Sequence, residues 1–92
     1  MVFVSVVIRG RVQGVGYRFW LRQQADRGGV QGWVRNLSSG AVEAYFAGDR
    51  KSVEDILVLC HQGPKDGHVA DVNARDAADE AVSGFHIRRD AS

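Results

Sequence analysis

Gly10-Arg11-Val12-Gln13-Gly14-Val15-Gly16-Tyr17-Arg18 stands between an apolar run, Val2 to Ile8, and a segment with helical spacing. That placement reads as a strand, a glycine-rich turn and then a helix. Three glycines and a closing arginine at a strand-to-helix junction suit a main-chain loop that wraps a small anion. Glycine tolerates positive φ, which turns successive N–H groups inward, and the helix N-terminus adds the positive end of its dipole. Arg18 offers a planar fork of donors to the same anion. The spacing is not that of the nucleotide loop GxxxxGK[ST]. No Lys-Ser/Thr follows the last glycine, so nothing here is built to hold a nucleotide's Mg²⁺.

Working outward, the first strand is expected from about Phe3 to Arg9, with Val4, Val6 and Ile8 on one face. Tyr17, Leu21 and Ala25 recur at four-residue steps, which predicts a helix from Tyr17 to the Gly28-Gly29 stop. Val30 to Leu37 and Ala41 to Gly48 alternate around Ser38-Ser39-Gly40 as a hairpin. Asp49 is placed to cap a second helix, which reaches about Gln62 on a stripe of Val53, Ile56, Leu57 and Cys60 and stops at Gly63-Pro64. A less regular strand is expected over His68 to Ala74. An acidic, alanine-rich connection (Asp76 to Ala81) then leads to a short strand, Phe85 to Arg88.

The order β-α-β-β-α-β with a short terminal strand predicts an α+β, ferredoxin-like fold. Two helices lie on one face of a mainly antiparallel sheet, with strands one and three side by side in the centre. Strand two returns from the far end of the first helix and so runs parallel to strand one. Both end at the same edge of the sheet, which brings the glycine loop close to Arg35-Asn36-Leu37.

The chain has 92 residues, read here as a single domain, 1–92. A chain of that length buries roughly 60–65% of its unfolded surface, enough for one core. With 45% hydrophobic and 25% charged residues it belongs to the ordinary soluble globular class. A net charge of +1 gives no electrostatic case for nucleic acid or an anionic membrane. The apolar start is too short for a membrane span and lacks a cationic leader and a cleavage site. The lone Cys60 suits a reducing cytoplasm and reads as core rather than as a reactive thiol. His61, His68 and His86 are scattered, without metal or triad spacing, and Trp20 and Trp33 are expected to pack.

Loop amides and Arg18 together suit a phosphate-like group. Asn36 at the end of strand two can hold a water: its carbonyl accepts a proton and its NH₂ donates one. Taken alone, Asn36 is also an ordinary strand-end turn residue. The loop contains no Ser, Thr, Cys or His to act as a covalent nucleophile, and no carboxylate pair is placed for metal. Direct attack of water on phosphorus through a loose transition state then needs a good leaving group, which an acyl phosphate has and an alkyl phosphate lacks.

The stretch GRVQGVGYR (10–18), with GWVRN (32–36) and the hairpin SSGAVEAYFAG (38–48), resembles the acylphosphatase family. Gly63-Pro64, Val69, Val72 and Phe85-His86-Ile87 continue the resemblance over essentially the whole chain. It implies a small, metal-independent acylphosphate phosphohydrolase with a ferredoxin-like fold and no cofactor. In that family the loop arginine binds phosphate and the asparagine of the GWVxN motif orients water. Those positions are Arg18 and Asn36, and the cradle is Gln13, Gly14, Val15, Gly16, Tyr17 and Arg18. Gly16 stands where a bulkier residue is common, and Gln31 is a polar residue within strand two. The expected molecule is a cytoplasmic monomer acting on a small-molecule acyl phosphate, with neither nucleic acid nor membrane as partner. Its rival is a non-catalytic ferredoxin-like module that binds an anion, or RNA on exposed sheet aromatics, although strand three carries Tyr45 without the RNA-binding motif.

Overall fold

A computed structural model describes residues 1–91. The elements run β1 (Val2–Arg11), α1 (Tyr17–Gly28), β2 (Gln31–Asn36), β3 (Val42–Gly48), α2 (Arg50–Gln62), β4 (His68–Asp76) and β5 (Phe85–Ile87). The five strands form one sheet in the order β4-β1-β3-β2-β5. Only the β2–β5 pairing is parallel. This is the expected ferredoxin-like α+β arrangement, extended by one short edge strand.

Both helices are delimited by local chemistry. Gly29, in the left-handed region at φ 69°, caps α1 through its N–H to the Ala25 and Asp26 carbonyls. At the start of α2, Asp49 is extended and its carboxylate accepts the Ser52 N–H at 2.8 Å. That hydrogen bond holds the Asp49 carboxyl below its usual pKa. The apolar stripes of the helices (Tyr17, Leu21 and Ala25; Val53, Ile56 and Cys60) close on Val4, Val6, Ile8, Val34, Ala44 and Phe46 of the sheet in one cluster.

Register explains how two distant segments meet. β3 is antiparallel to both neighbours, and Val42 pairs with Ile8 on one side and with Asn36 on the other. The chain therefore leaves β1 and β2 at the same edge of the sheet.

The structure lengthens two strands. β1 continues through Gly10 and Arg11, which pair with Val69 and His68 of β4, so the free loop is 12–16 rather than 10–18. A register shift after Arg9 accommodates Gly10, where a Cβ atom would lie 2.2 Å from the His68 carbonyl oxygen. β4 in turn extends to Asp76, two residues beyond the expected end.

The second face of the sheet has its own small core. Trp33 stacks on Tyr45 with centroids 6.2 Å apart, beside Phe3, Ala47, Ala77 and Val82. The Trp33 indole donates to Glu80 and the Tyr45 hydroxyl donates to the Ala78 carbonyl, each at 2.9 Å. The segment read as a plain acidic connection is thus a cover, tied down by the two ring polar groups.

Candidate active site

The loop that follows β1 carries positive φ at Gly14 (74°) and at Gly16 (80°), and Gly16 is the residue on which α1 begins. At those angles the chain reverses in a few residues, a conformation that a residue with a Cβ adopts only at a cost. No side chain caps the helix: Gly16 has none to offer, and its carbonyl already accepts the Trp20 N–H at 3.0 Å. Among the described residues, no backbone or side-chain acceptor takes the amides of Gln13 to Phe19. The dipole of α1 adds partial positive charge at the same point.

Gln13, Gly14, Gly16, Tyr17, Arg18 and Phe19 line a cavity of about 220 Å³ together with Asn36. Asn36 is the last residue of β2, and its Oδ1 is buried without a hydrogen-bond partner. An unmet buried acceptor costs about 1–3 kcal/mol, so such an atom calls for an explanation in function. A cavity of about 430 Å³ lies at the other end of β1, between Val2, Val4, Val53 and Leu57. It is larger, but it holds no unpartnered buried polar atom, and size alone makes no chemistry.

Two sets of contacts hold the walls together. The Gln13 carboxamide donates both of its protons across the loop, to the Leu37 and Ala41 carbonyls, each at 2.8 Å. Those two carbonyls belong to the turn just after Asn36, so the side chain of Gln13 ties the loop to the end of β2. On the other side, the buried Tyr17 hydroxyl donates to the Cys60 carbonyl of α2 at 2.8 Å. Burial raises the Tyr17 phenol far above its usual pKa and pushes the Cys60 thiol up to about 12, so both groups stay protonated and uncharged at working pH.

Arg18 is engaged by a residue far away in sequence. Its Nη1 donates to Asp90 Oδ1 at 2.9 Å, with 29% of the arginine side chain exposed. The chain after β5 runs beside β2 to reach this point: the Arg88 N–H donates to Val34 and the Ala91 N–H to Asn36, both at 2.9 Å.

The sequence model of the acylphosphatase family matches residues 4–87. The chain belongs to this family. An acylphosphatase of a Nocardioides strain is 44% identical over 92% of this chain and 86% of its own. One from Bradyrhizobium diazoefficiens is 51% identical over 84% of this chain and 79% of its own. Among solved structures, an acylphosphatase from Bacillus subtilis superposes with a TM-score of 0.93 at 28% identity, covering 96% of this chain and 99% of that one.

For this member of the acylphosphatase family, the structure brings Gln13, Gly14, Gly16, Tyr17, Arg18 and Asn36 to one cavity. Val15 is the departure: its side chain packs against the core, which leaves only its backbone to the loop. Arg9 and Arg35 lie beside Asp71 and Glu43. Tyr45, which an RNA-binding face would need exposed, is 1% exposed beneath its cover. Sequence reasoning missed Asp90, the Gln13 side chain and Phe19 at the lip. The glutamine alone carried a signal, as a long amide in a loop otherwise of glycine and valine.

Two of these contacts have measurable consequences. Gln13→Glu keeps the shape, loses both donated bonds and sets a carboxylate against two carbonyls. We expect a loss of about 1–3 kcal/mol in urea unfolding, and an unchanged midpoint disproves the clamp. Asp90→Asn removes a carboxylate that competes with any anion for Arg18. The pair is partly exposed and one-pronged, worth about 1 kcal/mol or less. Inorganic phosphate should therefore bind up to about 5-fold more tightly. Weaker binding in the variant would show that Asp90 assists anion binding instead.

Proposed function

We infer that this cavity carries the acyl phosphate hydrolysis of the family, with each wall holding one reactant. The phosphoryl oxygens accept from the amides of Gln13 to Arg18 and from the Arg18 guanidinium. Asn36 Oδ1 accepts a proton of the attacking water and sets its oxygen lone pair toward phosphorus. The observation that carries the reading is one small cavity lined by the glycine loop, Arg18 and Asn36 together. Loop amides and a guanidinium complement oxyanions there, and a carboxamide complements water.

The bond from water oxygen to phosphorus forms as the bridging phosphorus–oxygen bond breaks, and that electron pair leaves on the carboxylate. A doubly charged acyl phosphate and water give a carboxylate and dihydrogen phosphate, so both water protons finish on phosphate oxygens. A carboxylate leaves readily, and the substrate's own phosphoryl oxygens take the proton, so no side-chain base is called for. Amides and a guanidinium in a partly buried cleft stabilise the charge held on the equatorial oxygens. Arg18 and Asn36 are the catalytic residues. No metal or cofactor takes part, and the chain works as a single-domain cytoplasmic monomer without nucleic acid or membrane.

Benzoyl phosphate hydrolysed in the presence of EDTA, with inorganic phosphate as a competitive inhibitor, is the expected result. Loss of turnover on chelation, or no inhibition by phosphate, overturns the scheme. A protein that retains single-stranded RNA and cleaves no acyl phosphate is the rival module instead.

A further inference from the structure

Phe19 follows Arg18 directly on the first turn of α1, and 59% of its surface is exposed. Singly exposed apolar residues are common, and Met1 and Val58 are two others in this chain. Neither of those lines the anion cavity, and Phe19 does. The cavity's other apolar wall residues, Val12 and Tyr17, are each 1% exposed and belong to the core. Among the residues that line this cavity, Phe19 is therefore the one exposed apolar side chain. Its ring is also restrained: the Arg22 guanidinium carbon, one helical turn on, sits 5.7 Å from the ring centroid.

With the phosphoryl group on the loop and Arg18, the acyl portion points away from them, and Phe19 is the exposed apolar residue beside that path. We propose that Phe19 is the acyl-group platform of this site and biases it toward acyl phosphates bearing an aromatic ring over small acyl groups such as acetyl. This rests on the acyl phosphate reading above. The loop amides recognise only the phosphoryl end, which all such substrates share, so discrimination must come from outside the loop. An aromatic acyl group can lie offset on the exposed face of the Phe19 ring, whereas a methyl group has little to lay there.

The test measures kcat/KM on benzoyl phosphate and acetyl phosphate for the parent, Phe19→Ala, Phe19→Leu and Phe19→Tyr, with the inhibition constant of inorganic phosphate for each. Taking the benzoyl-to-acetyl ratio within each protein, and comparing it between proteins, cancels the different reactivity of the two substrates. The ratio should fall about 2- to 10-fold in Phe19→Ala, the range of one aromatic pair. It should fall less in Phe19→Leu and return to the parent value in Phe19→Tyr, with phosphate inhibition held within about twofold throughout. Equal losses on both substrates, leaving the ratio where it was, overturn the platform while sparing the hydrolysis scheme. A parent protein that cleaves neither substrate overturns that scheme, and the platform with it.

Discussion

Arg18→Ala is expected to lower kcat/KM for an acyl phosphate by on the order of 10²–10³-fold, the scale of losing one charged donor to a transition-state oxyanion. The guanidinium is a side-chain cation lining the anion cavity. Removing it does more than subtract an attraction, because Asp90 Oδ1 sits 2.9 Å from Arg18 Nη1. Without the arginine, that carboxylate stands unneutralised at the rim of a site meant for a doubly charged group. Part of the loss in Arg18→Ala is therefore repulsion, and the double variant with Asp90→Asn should recover several-fold over the single one. A double variant no faster than Arg18→Ala alone would show that the carboxylate does not reach the substrate. Arg18→Lys should recover little, since an ammonium offers a point charge where the fork of donors is needed.

Legibility in the sequence followed the range of the forces involved. Both helices end where their caps are local, at Gly29 and at Asp49, and their bounds could be read from neighbouring residues. The shared edge of β1 and β2 was legible too, because strand order follows from chain order and crossover handedness. β1 and β4 run longer than expected because each is extended by the other: Gly10 admits the close approach of His68, a partner almost sixty positions away in the chain. The cover on Trp33 and Tyr45 has no periodicity to betray it, since its fixed points are isolated polar contacts at Ala78 and Glu80. Asp90 was hidden for the same reason. It meets Arg18 only because the tail is pinned along β2 through Val34 and Asn36, and no local pattern encodes that path.

The site residues divide along the same line. Gly14, Gly16 and Arg18 announce themselves because backbone conformation and charge are properties of the loop itself. The side chain of Gln13 acts across the loop on Leu37 and Ala41, and its meaning appears only once β2 and the loop are side by side. Asn36 lies between these cases. A strand-end asparagine is ordinary, and what sets this one apart is an acceptor left bare inside the protein.

That bare acceptor makes Asn36→Ala a variant whose stability and activity should move independently. If Asn36 holds the attacking water as proposed, its loss should reduce kcat by on the order of 10²-fold, the penalty for a reactant misplaced by about an ångström. The phosphate cradle is untouched, so the inhibition constant of inorganic phosphate should stay near the parent value. Most buried polar residues lose stability on truncation because their partners are stranded, but Oδ1 of Asn36 strands none. Its removal relieves an unmet desolvation cost, so the unfolding midpoint should hold or rise. Asn36→Asp keeps an acceptor oxygen yet adds a negative charge opposite the phosphoryl group, and it should bind phosphate more weakly as well as turn over slowly. A destabilised Asn36→Ala with parental kcat would recast the residue as a structural turn element. An inactive but equally stable one leaves water orientation as the reason a buried carbonyl oxygen is kept without a partner.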